Sequence, residues 1–201
     1  MRIGFFGGSF DPPHRGHLAV ALAAAEAFRL DHVLLAPTAQ QPLKPGGAVA
    51  PFKDRLAMVE LLCQGEARFQ ASALDAPLTH GAPNYTIDTL IHLRAELSGD
   101  TTVFVIVGAD AFLDLRRWRS PDGLLEVAEW IVVSRPGFSF TDLDALKLSP
   151  EQLARVHLLP GVAEPVSATE IRFRLSEGHD CSEIVPAPVL EYIREYHLYG
   201  T

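Results

Sequence analysis

The feature that most constrains this chain is an alternation. Short apolar runs rich in β-branched and aromatic residues are separated by longer stretches in which apolar residues recur at helical spacing. The runs at residues 2–6, 33–36, 69–74, 102–107, 130–133 and 156–159 are strand-length. The stretches at 15–29, 52–64, 84–97, 167–176 and 188–196 carry helical patterns, such as Leu56, Val59, Leu61 and Leu62 in the second. Strands that alternate with helices predict an α/β fold, here a Rossmann-like open parallel sheet with helices on both faces. The punctuation agrees: Gly7-Gly8 predicts a turn after the first run, Pro37 stops the second, Gly108 ends the fourth and Ser134-Arg135-Pro136-Gly137 follows the fifth. Residues 40–51 read as a loop built on Pro42, Pro45, Gly46 and Gly47, and residues 137–150 as irregular. No internal repeat or linker divides the chain, so residues 1–201 are read as a single domain.

Charge narrows the partners. Lys and Arg number 17 against 25 Asp and Glu, a net charge of −8. Such a chain is a poor non-specific binder of nucleic acid or anionic membranes, so neither is expected as a partner, while a local basic pocket remains open. Cys63 and Cys181 lie far apart and make neither a disulfide framework nor a ligand cluster, which fits a reducing compartment. The opening residues lack the basic, apolar and small-residue succession of a secretory signal. The longest helical apolar stretch, residues 18–30, is broken by Glu26 and Arg29 and is too short to span a bilayer. A soluble, cytoplasmic protein is expected.

The chemistry concentrates between the first strand and the first helix, in Gly7-Gly8-Ser9-Phe10-Asp11-Pro12-Pro13-His14-Arg15-Gly16-His17. Open parallel sheets bind ligands beyond the carboxyl ends of their strands. Glycines there let backbone approach a ligand closely, successive N–H groups can cradle an anion, and the helix start favours a phosphate. His14 and His17, three apart, share one helix face if both lie in the first turn. Neither a phosphate-binding G-x-x-x-x-G-K-[ST] nor a dinucleotide-binding G-x-G-x-x-G is present. On spacing alone, the pair could also be two ordinary histidines at a helix start, or two ligands of a metal site that lacks a nearby third.

This segment resembles the G-x-F-x-P-x-H-x-G-H signature of the nucleotidyltransferase superfamily. Val166-Ser167-Ala168-Thr169-Glu170-Ile171-Arg172 resembles that superfamily's second signature, I-S-S-T-x-I-R, with Val and Ala in place of Ile and the second Ser. Pro83-Asn84-Tyr85-Thr86 with Thr89-Leu90, Gly108-Ala109-Asp110 with Trp118, Ser134-Arg135-Pro136-Gly137, and Pro186-Ala187-Pro188-Val189 with Tyr192-Ile193 are similar to segments of the bacterial nicotinate-nucleotide adenylyltransferases. The resemblance runs from about Ile3 to Tyr199. One departure stands out: the family loop often reads P-P-H-K, whereas this chain has Gln41-Pro42-Leu43-Lys44, so its histidine position is Leu43.

The resemblance implies transfer of the adenylyl group of ATP to nicotinate mononucleotide, with Mg2+ bound to the ATP and a monomer or small homo-oligomer. It implies that His14 and His17 donate hydrogen bonds to the triphosphate and the reacting phosphorus, and that Lys44 and Arg172 hold the departing pyrophosphate. Ser9, with the backbone of Gly7, Gly8 and Phe10, would hold the mononucleotide phosphate. Thr86 begins the helix that would read the ring carboxylate, and Trp118 would stack on the pyridine. Gly108, Asp110 and Arg135 would line the nucleotide pocket, and the Ser167 and Thr169 hydroxyls would serve phosphate oxygens as first-turn donors. The alternatives are a phosphopantetheine adenylyltransferase, a non-catalytic nucleotide sensor on the same fold, and a metal-dependent hydrolase using the two histidines.

Overall fold

A computed structural model describes residues 1–40, 46–78, 81–134, 138–162 and 167–201. Six strands form one parallel sheet: β1 (Arg2–Gly8), β2 (His32–Pro37), β3 (Phe69–Ala71), β4 (Thr102–Gly108), β5 (Glu129–Ser134) and β6 (Val156–Pro160). Their order is β3-β2-β1-β4-β5-β6. Every neighbouring pair is parallel. The chain winds outward from β1 to β2 and β3, then crosses back to β4 and winds the other way. The reversal falls between β1 and β4, where doubly wound sheets open a crevice.

The helices are α1 (Arg15–Ala27), α2 (Phe52–Cys63), α3 (Thr86–Glu96), α4 (Ala109–Leu113), α5 (Pro121–Val127), α6 (Pro150–Leu153), α7 (Ala168–Ser176) and α8 (Ala187–Glu195). Strand residues point alternately to the two faces, which explains why β4 is apolar throughout. Val103, Val105 and Val107 pack with Ile87 and Leu90 of α3, Phe112 of α4 and Leu124 of α5. Phe104 and Ile106 face the other way, into Ala21 and Ala24 of α1 and Val59 and Leu62 of α2. Each such fully buried Val, Leu or Phe contributes about 1.5–3 kcal/mol of transfer free energy. A third cluster joins Met58 of α2 to Ile171 and Leu175 of α7 and Val189 and Ile193 of α8. Both cysteines are free and buried. Among the described residues no helix is long and apolar enough to cross a membrane.

All six strand-length runs of the sequence become strands, with differences that have causes. Gly7 and Gly8 do not form a turn: they are the last residues of β1, in register with Ala36 and Pro37. A Cβ at either position would lie 3.2 Å from the ring of Phe5 or Phe10. The turn comes after them, at Phe10, whose φ is 47°. β3 ends at Ala71 because the Ser72 N–H, bonded to Leu35 O at 2.9 Å, is followed by a turn in which Ala76 N–H donates to Ala73 O at 2.9 Å. α3 starts at Thr86, not at 84, because Tyr85 is extended. Within 137–150, read as irregular, a 3-10 helix covers Phe140–Leu146. The short helices α4, α5 and α6 have no counterpart in the sequence reading.

Candidate active site

The carboxyl ends of β1 and β4 deliver the two halves of the candidate site. His14 is the N-cap of α1, and its Nδ1 accepts the Gly16 N–H at 3.1 Å. His17 returns the arrangement: its Nδ1 accepts the His14 N–H at 3.2 Å. This reciprocal capping box satisfies two N–H groups that a helix start otherwise leaves open. It also fixes a tautomer. An Nδ1 that accepts a hydrogen bond carries its lone pair, so the proton of each neutral ring sits on Nε2. The rings lie with centroids 3.8 Å apart. Burial lowers the His14 pKa to about 4. Burial, and then the neighbouring His14, hold the His17 pKa well below its ordinary value. Both are therefore neutral near pH 7 and present Nε2–H donors. That tautomer leaves no free Nε2 lone pair for a metal, which counts against a histidine-held metal centre. Among the described residues no group of three or more His, Cys, Asp and Glu could hold a metal ion.

The His17 ring is backed by Phe10, centroid to centroid 4.7 Å, and Phe10 itself is backed by Phe6 at 5.5 Å. Phe10 is completely buried, so its ring serves as packing behind His17.

Asp11 ties the surrounding segments together. Its Oδ2 accepts the Val49 N–H at 2.7 Å, and its Oδ1 accepts the Ala50 N–H at 3.0 Å and the Tyr199 hydroxyl at 2.7 Å. Its carbonyl accepts Arg172 Nη1 at 2.7 Å, and the same nitrogen lies 3.7 Å from Oδ2. Arg172 Nη2 donates to Thr169 Oγ1 at 3.2 Å. Arg172 on α7 is thereby brought to the loop after β1, although 161 positions separate it from Asp11. Beneath that loop, the buried Arg55 donates to three carbonyls: Nη1 to Ser9 O at 2.6 Å and Thr38 O at 2.9 Å, and Nε to Ala50 O at 3.1 Å. Its carbonyl partners bind it without neutralising its charge.

Ser167 and Thr169 differ from expectation in the direction of their bonds. Ser167 Oγ accepts the Glu170 N–H at 3.2 Å as the N-cap of α7, and Thr169 accepts from Arg172. Each keeps its hydroxyl proton to donate.

On the β4 side, exposed Gly108 ends the strand as the N-cap of α4, and a Cβ there would meet nothing within 4 Å. Asp110 lies in the first turn of α4 and is exposed. Thr86 is the first residue of α3. Trp118 is half-buried, with its ring edge-on to Trp130 at 6.1 Å. The Arg119 guanidinium stands 4.6 Å above the Tyr85 ring and 3.5 Å from Asp88. Between these halves, Asp75 accepts hydroxyls from Thr38 at 3.2 Å and Thr89 at 2.5 Å, and burial raises its pKa. Asn84 donates Nδ2–H to Ala76 O at 2.9 Å, while its buried Oδ1 has no partner among the described residues. A cleft of about 730 Å3, lined by Gln40, Gly46, Ala50, Arg55 and Asn84 among others, opens beside them.

Lys44, with the Gln41-Pro42-Leu43-Lys44 loop, and Arg135 lie outside the described residues. The structure thus pairs His14 with His17 in one capping box and ties Arg172 to Thr169 and to the loop after β1, while Trp118 and Tyr85, the neighbour of Thr86, pack against one core cluster. Asp11, Arg55 and Tyr199 were missing from the sequence reading of the site. Asp11 had a signal, its place inside the first motif; the other two had none of local spacing.

The profile of the cytidylyltransferase-like family matches residues 5–174. The chain belongs to that family. Along its whole length it is similar to proteins named probable nicotinate-nucleotide adenylyltransferases. One from Solibacter usitatus is 39% identical over 200 residues, spanning 100% of both chains. One from Roseiflexus sp. is 40% identical over 198 residues, spanning 98% of this chain and 97% of its own. Among solved structures, the Plasmodium falciparum nicotinic acid mononucleotide adenylyltransferase complexed with NaAD superposes with a TM-score of 0.75 at 19% identity, covering 98% of this chain and 97% of that one. A Vibrio parahaemolyticus structure titled as a putative nicotinate-nucleotide adenylyltransferase gives 0.68 at 22%, covering 99% and 95%. At these identities the superpositions establish the shared fold.

Proposed function

We propose that this chain transfers the adenylyl group of ATP to nicotinate mononucleotide, releasing pyrophosphate and forming nicotinate adenine dinucleotide in NAD biosynthesis. The observation that carries the reading is the end-to-end identity of 39–40% with relatives of that name. The site supports it. An oxygen of the mononucleotide phosphate attacks the α-phosphorus of ATP, and the bond from that phosphorus to the bridging oxygen breaks. The attacking oxygen is already ionised, so no general base is required. The barrier is charge repulsion, geometry and leaving-group charge. Two neutral imidazoles with their protons on Nε2 suit this task, because they donate to phosphate oxygens without titrating near pH 7. His14 and His17 meet the triphosphate and the pentavalent centre.

Arg172, anchored through two of its five donors, turns others to the pyrophosphate, with Lys44 as a second charge. Ser9 and the backbone from Gly7 to Phe10 hold the mononucleotide phosphate. Ser167 and Thr169 offer hydroxyl protons to phosphate oxygens. Gly108, Asp110 and Arg135 border the nucleotide, Trp118 stacks on the pyridine, and the N–H groups at Thr86 receive its carboxylate. Bound with the ATP, Mg2+ would screen phosphate charge, and it would take its ligands from substrate oxygens and water rather than from these side chains. The donor set fits such a metal, since both Nδ1 atoms are engaged by backbone and the bound nucleotide supplies the oxygens.

The reading also takes residues 1–201 as a single domain acting in the cytoplasm as a monomer or small homo-oligomer, with no nucleic-acid or membrane partner. The test is pyrophosphate release from ATP and Mg2+ with nicotinate mononucleotide, nicotinamide mononucleotide or phosphopantetheine as acceptor. Release with the first is expected. Turnover of phosphopantetheine alone, or tight ATP binding with no release for any acceptor, overturns the reading.

A further inference from the structure

The 3-10 turn Leu198–Gly200 reaches back to the loop after β1. There the Tyr199 hydroxyl donates to Asp11 Oδ1 at 2.7 Å, across 188 positions of sequence. Asp11 is 3% exposed, and its carboxylate faces the guanidinium of Arg172, the charge of Arg55, the amides of Val49 and Ala50, and this hydroxyl. We propose that Tyr199 is a positioning residue for the phosphate end of the site, setting the place of Arg172 through Asp11. The proposal rests on the adenylyl-transfer reading above.

A buried carboxylate needs donors for both oxygens. With Tyr199 in place, Oδ1 has two and Oδ2 has one, and Arg172 Nη1 stands off at 3.7 Å, directed instead to the Asp11 carbonyl at 2.7 Å. Loss of the hydroxyl leaves Oδ1 with Ala50 N–H alone. The Arg172 guanidinium, whose Nη1 already stands 3.7 Å from the companion oxygen Oδ2, makes up the deficit by closing on the carboxylate. Closing that gap turns its free donors away from the triphosphate. Burial and the Asp11 charge raise the Tyr199 pKa far above its ordinary value, so the hydroxyl remains a donor at all working pH values. The phenyl ring does separate work, packing against the cluster of α7 and α8, so removal of the hydroxyl alone isolates the strut.

The experiment uses the full chain with Tyr199→Phe, assayed in the wild-type and Arg172→Ala backgrounds. In the wild-type background kcat/KM for ATP falls about tenfold, a change of about 1.4 kcal/mol, while KM for nicotinate mononucleotide and the melting temperature stay near their starting values. In the Arg172→Ala background the same change has almost no further effect, because both substitutions act on one guanidinium. An equal loss in both backgrounds, a parallel rise in KM for the mononucleotide, or no loss at all overturns the proposal. Should the wild-type protein release no pyrophosphate, the adenylyl-transfer reading falls on its own. The strut is then judged by hydrogen exchange at the Val49 and Ala50 amides, which Tyr199→Phe is expected to accelerate; unchanged exchange refutes it.

Discussion

At the β1 side of the candidate site, His14 and His17 cap the start of α1 and Asp11 receives Arg172 and Tyr199, through buried or half-buried hydrogen bonds of 2.7 to 3.2 Å. At the β4 side, Thr86, Trp118 and Arg119 line up differently: Arg119 reaches Asp88 at 3.5 Å, with both side chains more than half exposed. The first side is built before any ligand arrives; the second is an open rim. The difference follows the proposed chemistry. Charge redistributes at the phosphorus during transfer, and donors fixed in advance stabilise it without reorganising. A pyridine ring undergoes no bond change, so its partners need only bind it. Exposed ion pairs such as that of Arg119 contribute little to stability, which leaves this side free to adjust.

The sharpest way to break the comparison is at His17. His17→Ala should lower kcat about 10²–10³-fold, the usual loss for a donor aimed at developing charge, with mononucleotide binding intact. Steady-state pyrophosphate release decides it, and near-normal turnover in a folded variant removes His17 from the reaction.

The open rim predicts a smaller effect, in ground-state selection. The N–H groups at the start of α3 and the neighbouring Arg119 favour a ring carboxylate over a neutral amide. Nicotinate mononucleotide should surpass nicotinamide mononucleotide by at least about tenfold in kcat/KM. A side-by-side assay at saturating ATP showing equal efficiencies would show that this rim does not read the acid.

Smaller still is Trp118→Ala. A stacked aromatic pair is worth about 0.5–1.5 kcal/mol, so KM for the mononucleotide should rise about 3- to 10-fold with kcat held. Because Trp118 also packs edge-on to Trp130 at 6.1 Å, a modest fall in melting temperature accompanies it. An unchanged KM with that fall returns Trp118 to the core.

The last prediction concerns acid. The His14 pKa is lowered from 6.5 to about 4, so between these pH values the unfolded chain binds a proton that the folded chain excludes. The stability this contributes is full above pH 6.5 and is lost as pH falls toward about 4. His14→Asn retains a side-chain acceptor at the N-cap and removes the titration. Denaturant unfolding across that range should show a shallower pH slope in the variant; an identical slope refutes the assignment.

The sequence carried the sheet because parallel strands buried on both faces must be apolar throughout, as residues 103–107 of β4 are. It missed α4 and α5 because helices of 5 and 7 residues complete too few turns to show a period. α5 carries Pro121 at its first helical position, a placement that suits Pro. Gly7 and Gly8 read as a turn that lets backbone approach a ligand, but they end a strand, where the rings of Phe5 and Phe10 crowd any added Cβ. His14, His17 and Arg172 could be picked out because each sits in a dense local pattern. Tyr199 and Arg55 could not, since their meaning lies in partners 188 and 46 positions away.

Those separations put the site on a clock. A ribosome makes β1 first and α7 and the turn at Leu198–Gly200 last. The early strands and helices can bury their apolar faces while the chain is still being made. The bonds from Asp11 to Arg172 and Tyr199 can form only after residues 172 and 199 have emerged. A nascent chain can therefore bury the two clusters that flank its sheet before its charge lock and the cluster of α7 and α8 form, and at that stage it still lacks the anchored guanidinium.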